Sequence, residues 1–257
     1  MVLVAGVSIL MLVGPLSVQF AAYAANPVAP NLGTAETYSV LGGQTVTNTG
    51  ASTLSGDLGV NPGTAITGFP PGIVGGDTHA GDAPALQAQS DLTIAYDAAR
   101  LSPSTANVSG DLVGSTLTAG VYTSSSDLLL SGTLTLDGQN DPDAVFIFQT
   151  ASALTTASTS NVKVINGAQA CNVFWQVGTS ATLGTASTFR GTVMALTSIS
   201  VQTGAVVKGR MLARNGQVSL DTNAFVTPGC GTSDVTPTPT LTVVTPAPVP
   251  ELPIVSG

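Results

Sequence analysis

The sequence predicts a mostly β chain folded as a β-helix, a solenoid of stacked three-sided coils with one helix along a side. Three observations predict it. First, a pattern recurs every 18–19 residues: Thr185, Thr203 and Thr222 are each preceded two positions earlier by an aliphatic residue (Leu183, Val201, Leu220) and followed four positions later by an apolar one (Phe189, Val207, Val226). A period of this size marks a solenoid, and about 18 residues make three short strands and three corners at about 3.3 Å per strand residue. Second, the chain is 43% hydrophobic with 29 Gly, but only 8% charged and 5% aromatic. That composition suits strands and tight corners better than a helix bundle. Third, one strand in each coil is apolar on both sides: Val145-Phe146-Ile147-Phe148, Val173-Phe174-Trp175, Val193-Met194-Ala195 and Met211-Leu212-Ala213. A continuous apolar run implies burial on both faces.

Taken in order, residues 1–24 read as a secretory signal peptide. Val2 to Phe20 are nearly all apolar, and Ala22-Tyr23-Ala24 fits the small-residue cleavage pattern, although the usual basic start is absent. Residues 25–31 are a Pro-containing spacer. The solenoid domain spans 32–229. Within it, Ala35 to Val60 reads as strands and turns, and Asn61 to Gly81 is Gly/Pro-rich and expected to be an irregular loop or cap.

A helix is expected over 84–101. Asp82 can cap it, Pro84 suits its first turn, and Pro103 follows its end. Ala85, Ala88, Leu92, Ala95 and Ala99 form a small-residue stripe that allows close approach to a sheet. The helix should therefore cover the doubly apolar strands and leave two sides of the triangle open. Further strands are expected between Asn107 and Asp137, and a looser copy of the repeat starts at Leu154. Residues 231–257 are a Pro/Thr-rich linker or tail, extended and semi-rigid. It would hold the domain away from something, such as a cell envelope.

Net charge is −8 and the basic residues are scattered, which disfavours nucleic acid. Cys171 and Cys230 lack metal-ligand spacing; they read as a disulfide if the protein is exported, and otherwise as two buried thiols. The lone His79, the turn-like Asp141-Pro142-Asp143 and the absence of paired carboxylates give no support to an enzyme, a metal site or a cofactor.

What remains is the open surface. Thr156-Ala157-Ser158-Thr159 and Thr185-Ala186-Ser187-Thr188 are the same tetrapeptide, with Thr203-Gly204-Ala205-Val206 as a degenerate third. Read as strand, their first and third residues point outward and stack into a flat, uncharged array of hydroxyls and methyls. Such an array offers no cavity; it suits contact with ordered water. The candidate contact residues are Thr156, Ser158, Thr159, Thr185, Ser187, Thr188, Thr203, Ala205 and Thr222. A competing open strand carries Thr182, Ser200, Gln202, Ser219 and Asp221, and its Asp221 makes it the poorer candidate.

Several segments are similar to the microbial ice-binding (antifreeze) protein family: Gly167-Ala-Gln-Ala-Cys-Asn-Val-Phe-Trp-Gln-Val-Gly178, Phe189-Arg-Gly-Thr192, Gly209-Arg-Met-Leu-Ala-Arg214 and Leu54-Ser-Gly-Asp-Leu-Gly-Val-Asn-Pro-Gly63. The likeness covers about Leu32 to Thr227. It implies a right-handed, discontinuous β-helix of triangular section with one long helix along a side, secretion, and adsorption to ice. A T-A/G-x-T/N pattern marks ice-facing strands in that family. Here it falls on Thr156–Thr159 and Thr185–Thr188, departs at Val206 in the Thr203 copy, and departs further at Thr222-Asn223. The expected protein is a secreted monomer with an ice surface as partner; the alternative is a cell-surface adhesion or envelope module that binds a glycan or protein.

Overall fold

The computed structural model describes residues 26–108 and 110–231. The leader expected over 1–24 and the tail beyond Gly231 lie outside them.

The described chain is a three-sided solenoid in which all strand pairings are parallel. Each coil contributes one strand to each of three stacks, here called faces A, B and C. The first coil is Tyr38–Gly42 (A), Thr45–Thr49 (B) and Thr53–Leu54 (C). The next is Asp57–Val60, Ala65–Thr67 and Ile73–Val74, followed by Thr78–Ala80 on face A. The segment from Asn61 to Gly81, expected to be irregular, thus carries short strands between its Gly and Pro turns. Helix α1, Ala83–Leu101, then takes the chain along face A. Coils resume at Ala106–Asn107 on the far end of the stack and wind back, until Val206–Ala213, Val218–Asp221 and Ala224–Val226 pair with the first coil. Val40 lies opposite Met211, Val46 opposite Val218, and Thr53 opposite Ala224. Order in space and order in sequence therefore differ, as the family resemblance implied.

The outermost strands of each stack are two or three residues long, which limits edge pairing with other chains. The interior is apolar. Its aromatic file runs Tyr122, Phe148, Trp175 and Phe189, with neighbouring ring centroids 5.5, 4.1 and 5.1 Å apart.

Face A is buried on both sides, as its continuous apolar runs require. Phe146, Phe148, Val173, Trp175, Val193 and Met211 point into the solenoid, while Val145, Ile147, Phe174, Met194 and Leu212 point out under the helix. The helix meets them with Ala88, Leu92, Ala95, Tyr96 and Ala99. Small side chains let the backbone come close, and glutamines from both partners bridge the gap. Gln89 Nε2 donates to the carbonyls of Gly42 (2.9 Å) and Ala213 (3.0 Å). Gln149 Nε2 donates to those of Ala99 (2.6 Å) and Ser102 (2.9 Å), satisfying acceptors at the helix end. At the other end Asp82 accepts from Ala85 N at 3.1 Å.

Two strands, Thr188–Ala195 and Val206–Ala213, pass from face C to face A without a break. They bend at Gly191 and Gly209, which lie opposite each other; a Cβ on Gly209 would sit 1.8 Å from the Gly191 carbonyl oxygen. Only glycine fits there.

Cys171 and Cys230, 59 positions apart in sequence, form a disulfide with their Cα atoms 5.4 Å apart. It fastens the end of the last coil to the turn at Ala170–Asn172. Closing a loop of this length stabilises by about 4 kcal/mol on the chain-entropy account. Replacing both cysteines by serine should lower the unfolding midpoint by roughly 8–16 °C for a domain of this size, as read by scanning calorimetry.

Candidate functional site: the hydroxyl face

Face B is the open side with the most regular surface. Its strands alternate cleanly. Val46, Val218, Ile199, Ala181, Leu154 and Leu128 are buried, and the next inward row holds Leu220, Val201, Leu183 and Leu130. Between these two rows one residue per coil points out. In register, this outward row reads Thr67, Thr47, Ser219, Ser200, Thr182, Thr155. Every member carries a hydroxyl. At about 4.8 Å per strand the row is about 24 Å long. It ends at Leu129 and Asp111.

A second row, at the strand ends, holds Thr49 paired with Asp221, and then the exposed Gln202 and Ala157. Asp221 is its charged member, and hydroxyls engage both its oxygens: Thr203 Oγ1 donates to Oδ2 at 2.5 Å and Thr222 Oγ1 to Oδ1 at 3.0 Å. The relief is low. A shallow depression is lined by Thr185, Ser200, Gln202, Thr203, Ser219 and Asp221. Among the described residues no group of three or more His, Cys, Asp or Glu side chains could hold a metal ion.

The repeated tetrapeptides lie at the corner between faces B and C. Only their ends belong to strands: Thr156 closes Leu154–Thr156, while Thr188 and Val206 open the strands of face C. One residue in each coil there adopts a left-handed conformation: Thr159, Ala186, Gly204 and Thr222, with φ of 60, 52, 71 and 52°. These four are level, because Asn161, Thr188, Val206 and Ala224, two positions later, pair in register. A left-handed residue breaks strand alternation, so the residue after it turns into the core. Ser160, Ser187, Ala205 and Asn223 are accordingly 3, 1, 0 and 1% exposed.

This corrects three expectations. Ser187 and Ala205 point inward and not outward. Thr156 is also buried, since it occupies an inward position of strand Leu154–Thr156, where its hydroxyl accepts from Gly184 N at 2.9 Å. The two identical tetrapeptides are not level either. Leu154 pairs with Ala181, a coil of 27 residues, so Thr159 lies beside Ala186 and Thr156 beside Leu183. Likewise Thr222 aligns with Gly204, and Phe225 takes the inward place of Phe189 and Val207 while Val226 faces out. Ser158, Thr159, Thr185, Thr203 and Thr222 are exposed along the corner, at the rim of face B. Thr188 is half-buried on face C. The strand judged poorer from sequence, with Thr182, Ser200 and Ser219, forms the centre of the flat hydroxyl row.

A stiff solenoid with one flat, hydroxylated, nearly uncharged side defines a class: a protein that meets an extended surface, as opposed to one that encloses a small ligand. The Ice-binding-like family matches residues 40–226, and the chain belongs to that family. It is 52% identical over 194 residues to an ice-binding protein of Nostoc sp. (strain HG1), covering 75% of this chain and 72% of the relative. It is 38% identical over 232 residues to ice-binding protein 1 of Shewanella frigidimarina, covering 77% of this chain but only 26% of that longer protein. The ice-binding protein of the Antarctic ascomycete Antarctomyces psychrotrophicus has the same fold, with a TM-score of 0.77 at 42% identity over 79% of this chain and all of that one.

Proposed function

We propose that this chain is a non-enzymatic protein that adsorbs to ice through the outer surface of face B. The contact is the central row Thr67, Thr47, Ser219, Ser200, Thr182 and Thr155, with Ser158, Thr185 and Thr203 along the rim. The observation that carries the reading is the unbroken hydroxyl row held in register across six coils. A threonine offers ordered water both a hydrogen-bonding hydroxyl and a methyl that water can cage. A single such contact is weak. Many in a line, on a scaffold whose strands are fixed by stacking, act together at little further cost in ordering. Strong charges would orient water against a lattice; the one carboxylate in the middle of this face is already engaged by Thr203 and Thr222.

Export fits this role. The leader expected over 1–24 leads to it, and a disulfide suits an oxidising compartment. The test is direct observation of single ice crystals in the purified protein. Faceted or shaped growth and slowed recrystallisation are expected; round crystals that coarsen as in buffer would remove the proposal.

A further inference from the structure

The chain has six basic residues. Three are engaged near the helix and the first coil. Arg100 pairs with Asp97 at 3.4 Å. Arg210, 3% exposed, donates to the Glu36 carbonyl at 2.6 Å, and its guanidinium lies 3.9 Å from the Glu36 carboxylate. Arg214 lies 5.1 Å from the Tyr96 ring centre and donates to Thr93 Oγ1. The other three, Lys163, Arg190 and Lys208, stand in one file on the outer surface of face C. Arg190 pairs in register with Lys208, and the pairing of Asn161 with Thr188 sets Lys163 level with Arg190.

At about 4.8 Å per strand, this file puts three positive charges along about 10 Å of the solenoid axis. Like charges directly opposite each other on a sheet are destabilising. Among the described residues none of the three enters an ion pair; the pairs there are His79–Asp82, Arg100–Asp97 and Arg210–Glu36. The file continues as Thr135 and Thr116 on one side and Val226 on the other. The second outward file of face C is Thr133, Asn161, Thr188, Val206, Ala224 and Thr53. Neither file contains an acid, in a chain with 14 of them. Asp137, at the end of strand Thr133–Asp137, accepts from Gln139 N and Asn166 Nδ2. Arg190 is held in place by Asn161 Oδ1 at 3.3 Å and by the Val162 carbonyl.

We propose that face C binds a linear acidic polysaccharide, one carrying a carboxylate on each successive sugar ring, laid along the axis over Lys163, Arg190 and Lys208. A single line of charges one strand apart complements a single extended polyanion. It does not complement the plane of an anionic bilayer, which calls for a broad basic patch. Single-stranded nucleic acid needs aromatic platforms for its bases, and neither outward file of face C holds one. Faces B and C meet at the corner lined by Thr159, Ala186, Gly204 and Thr222, so a chain on face C leaves face B uncovered. One molecule would then hold an anionic matrix and an ice surface at once.

The experiment is equilibrium binding of the purified full chain to polygalacturonate, with neutral dextran, phosphatidylserine-containing vesicles and a single-stranded oligonucleotide as competitors. Binding to polygalacturonate is expected, weakening as salt shortens the Debye length below about 10 Å. The double variant Lys163→Glu/Lys208→Glu should lose at least about tenfold in affinity. Lys163→Arg/Lys208→Arg should retain it. Both variants should unfold at the wild-type temperature and shape ice as the wild type does, so this inference and the role of face B fail separately. No affinity for polygalacturonate, equal affinity for dextran, tighter binding of vesicles or oligonucleotide, or an unaffected double variant would each overturn it.

Discussion

Ser200→Tyr should abolish ice shaping and leave the unfolding temperature where it was. Ser200 lies in the middle of the hydroxyl row, between Ser219 and Thr182, and its side chain points to solvent while Ile199 and Val201 on either side are buried. A phenol there has room to project, so the core is undisturbed. It would stand well above a plane of Ser and Thr side chains and hold the neighbouring coils off any flat partner. Loss is therefore expected to be complete, because one obstruction lifts the whole row. Thr53→Tyr, on face C, should keep full activity. Thr185→Tyr, at the rim, distinguishes the flat row from the corner: if it silences the protein while Ser200→Tyr does not, the contact lies along the corner. Crystal morphology under a cooled microscope stage reads all three, with calorimetry as the fold control.

The second large effect is on stability. Trp175→Ala should destabilise the domain by about 3–5 kcal/mol, the usual cost of emptying a large aromatic site. Trp175 is fully buried, lies 4.1 Å from Phe148 and 5.1 Å from Phe189 between ring centres, and donates from Nε1 to the Arg190 carbonyl at 3.1 Å. Truncation opens a cavity across two coils and strands that carbonyl next to the Gly191 bend. The midpoint should fall by roughly 6–20 °C at this chain length. Leu129→Ala, at an exposed position of face B, should change stability by no more than about 0.5 kcal/mol.

The fold was legible because its rules are local. Period, glycine corners and doubly apolar runs each follow from the pitch of a strand and the burial of one face. The helix was legible from Asp82, Pro84 and its alanine stripe, and its docking from the apolar runs at Val145, Val173, Val193 and Met211. The contact row was harder to see, for two physical reasons. Coil length varies: the loop around Gly167 and Cys171 makes one coil nine residues longer than the 18 separating Ala181 from Ile199, so identical tetrapeptides slip out of register. The left-handed corner residues also reverse the inside-outside alternation, which sends Ser187 and Ala205 into the core. Thr47 and Thr67 carry no local mark of their place in the row. They belong to the first two coils, and only the return of the chain to its starting point sets Thr47 beside Ser219, with Thr67 one strand further on.

That return also bears on how the molecule comes to be folded. The seam joining Tyr38–Gly42 to Val206–Ala213 links residues about 170 positions apart, so its contacts are among the most distant in sequence that the fold contains. Such pairings form late, since the loop must close before they add stability. The two N-terminal coils stack on each other, but the first has no neighbour on its other side until the last rungs arrive, and a chain stopped before Val206 would leave that end of the apolar interior uncovered. Synthesis of the last coil and closure of the solenoid are thereby coupled: the hydroxyl row reaches its full length only once Val218–Asp221 has been made and has paired with Thr45–Thr49.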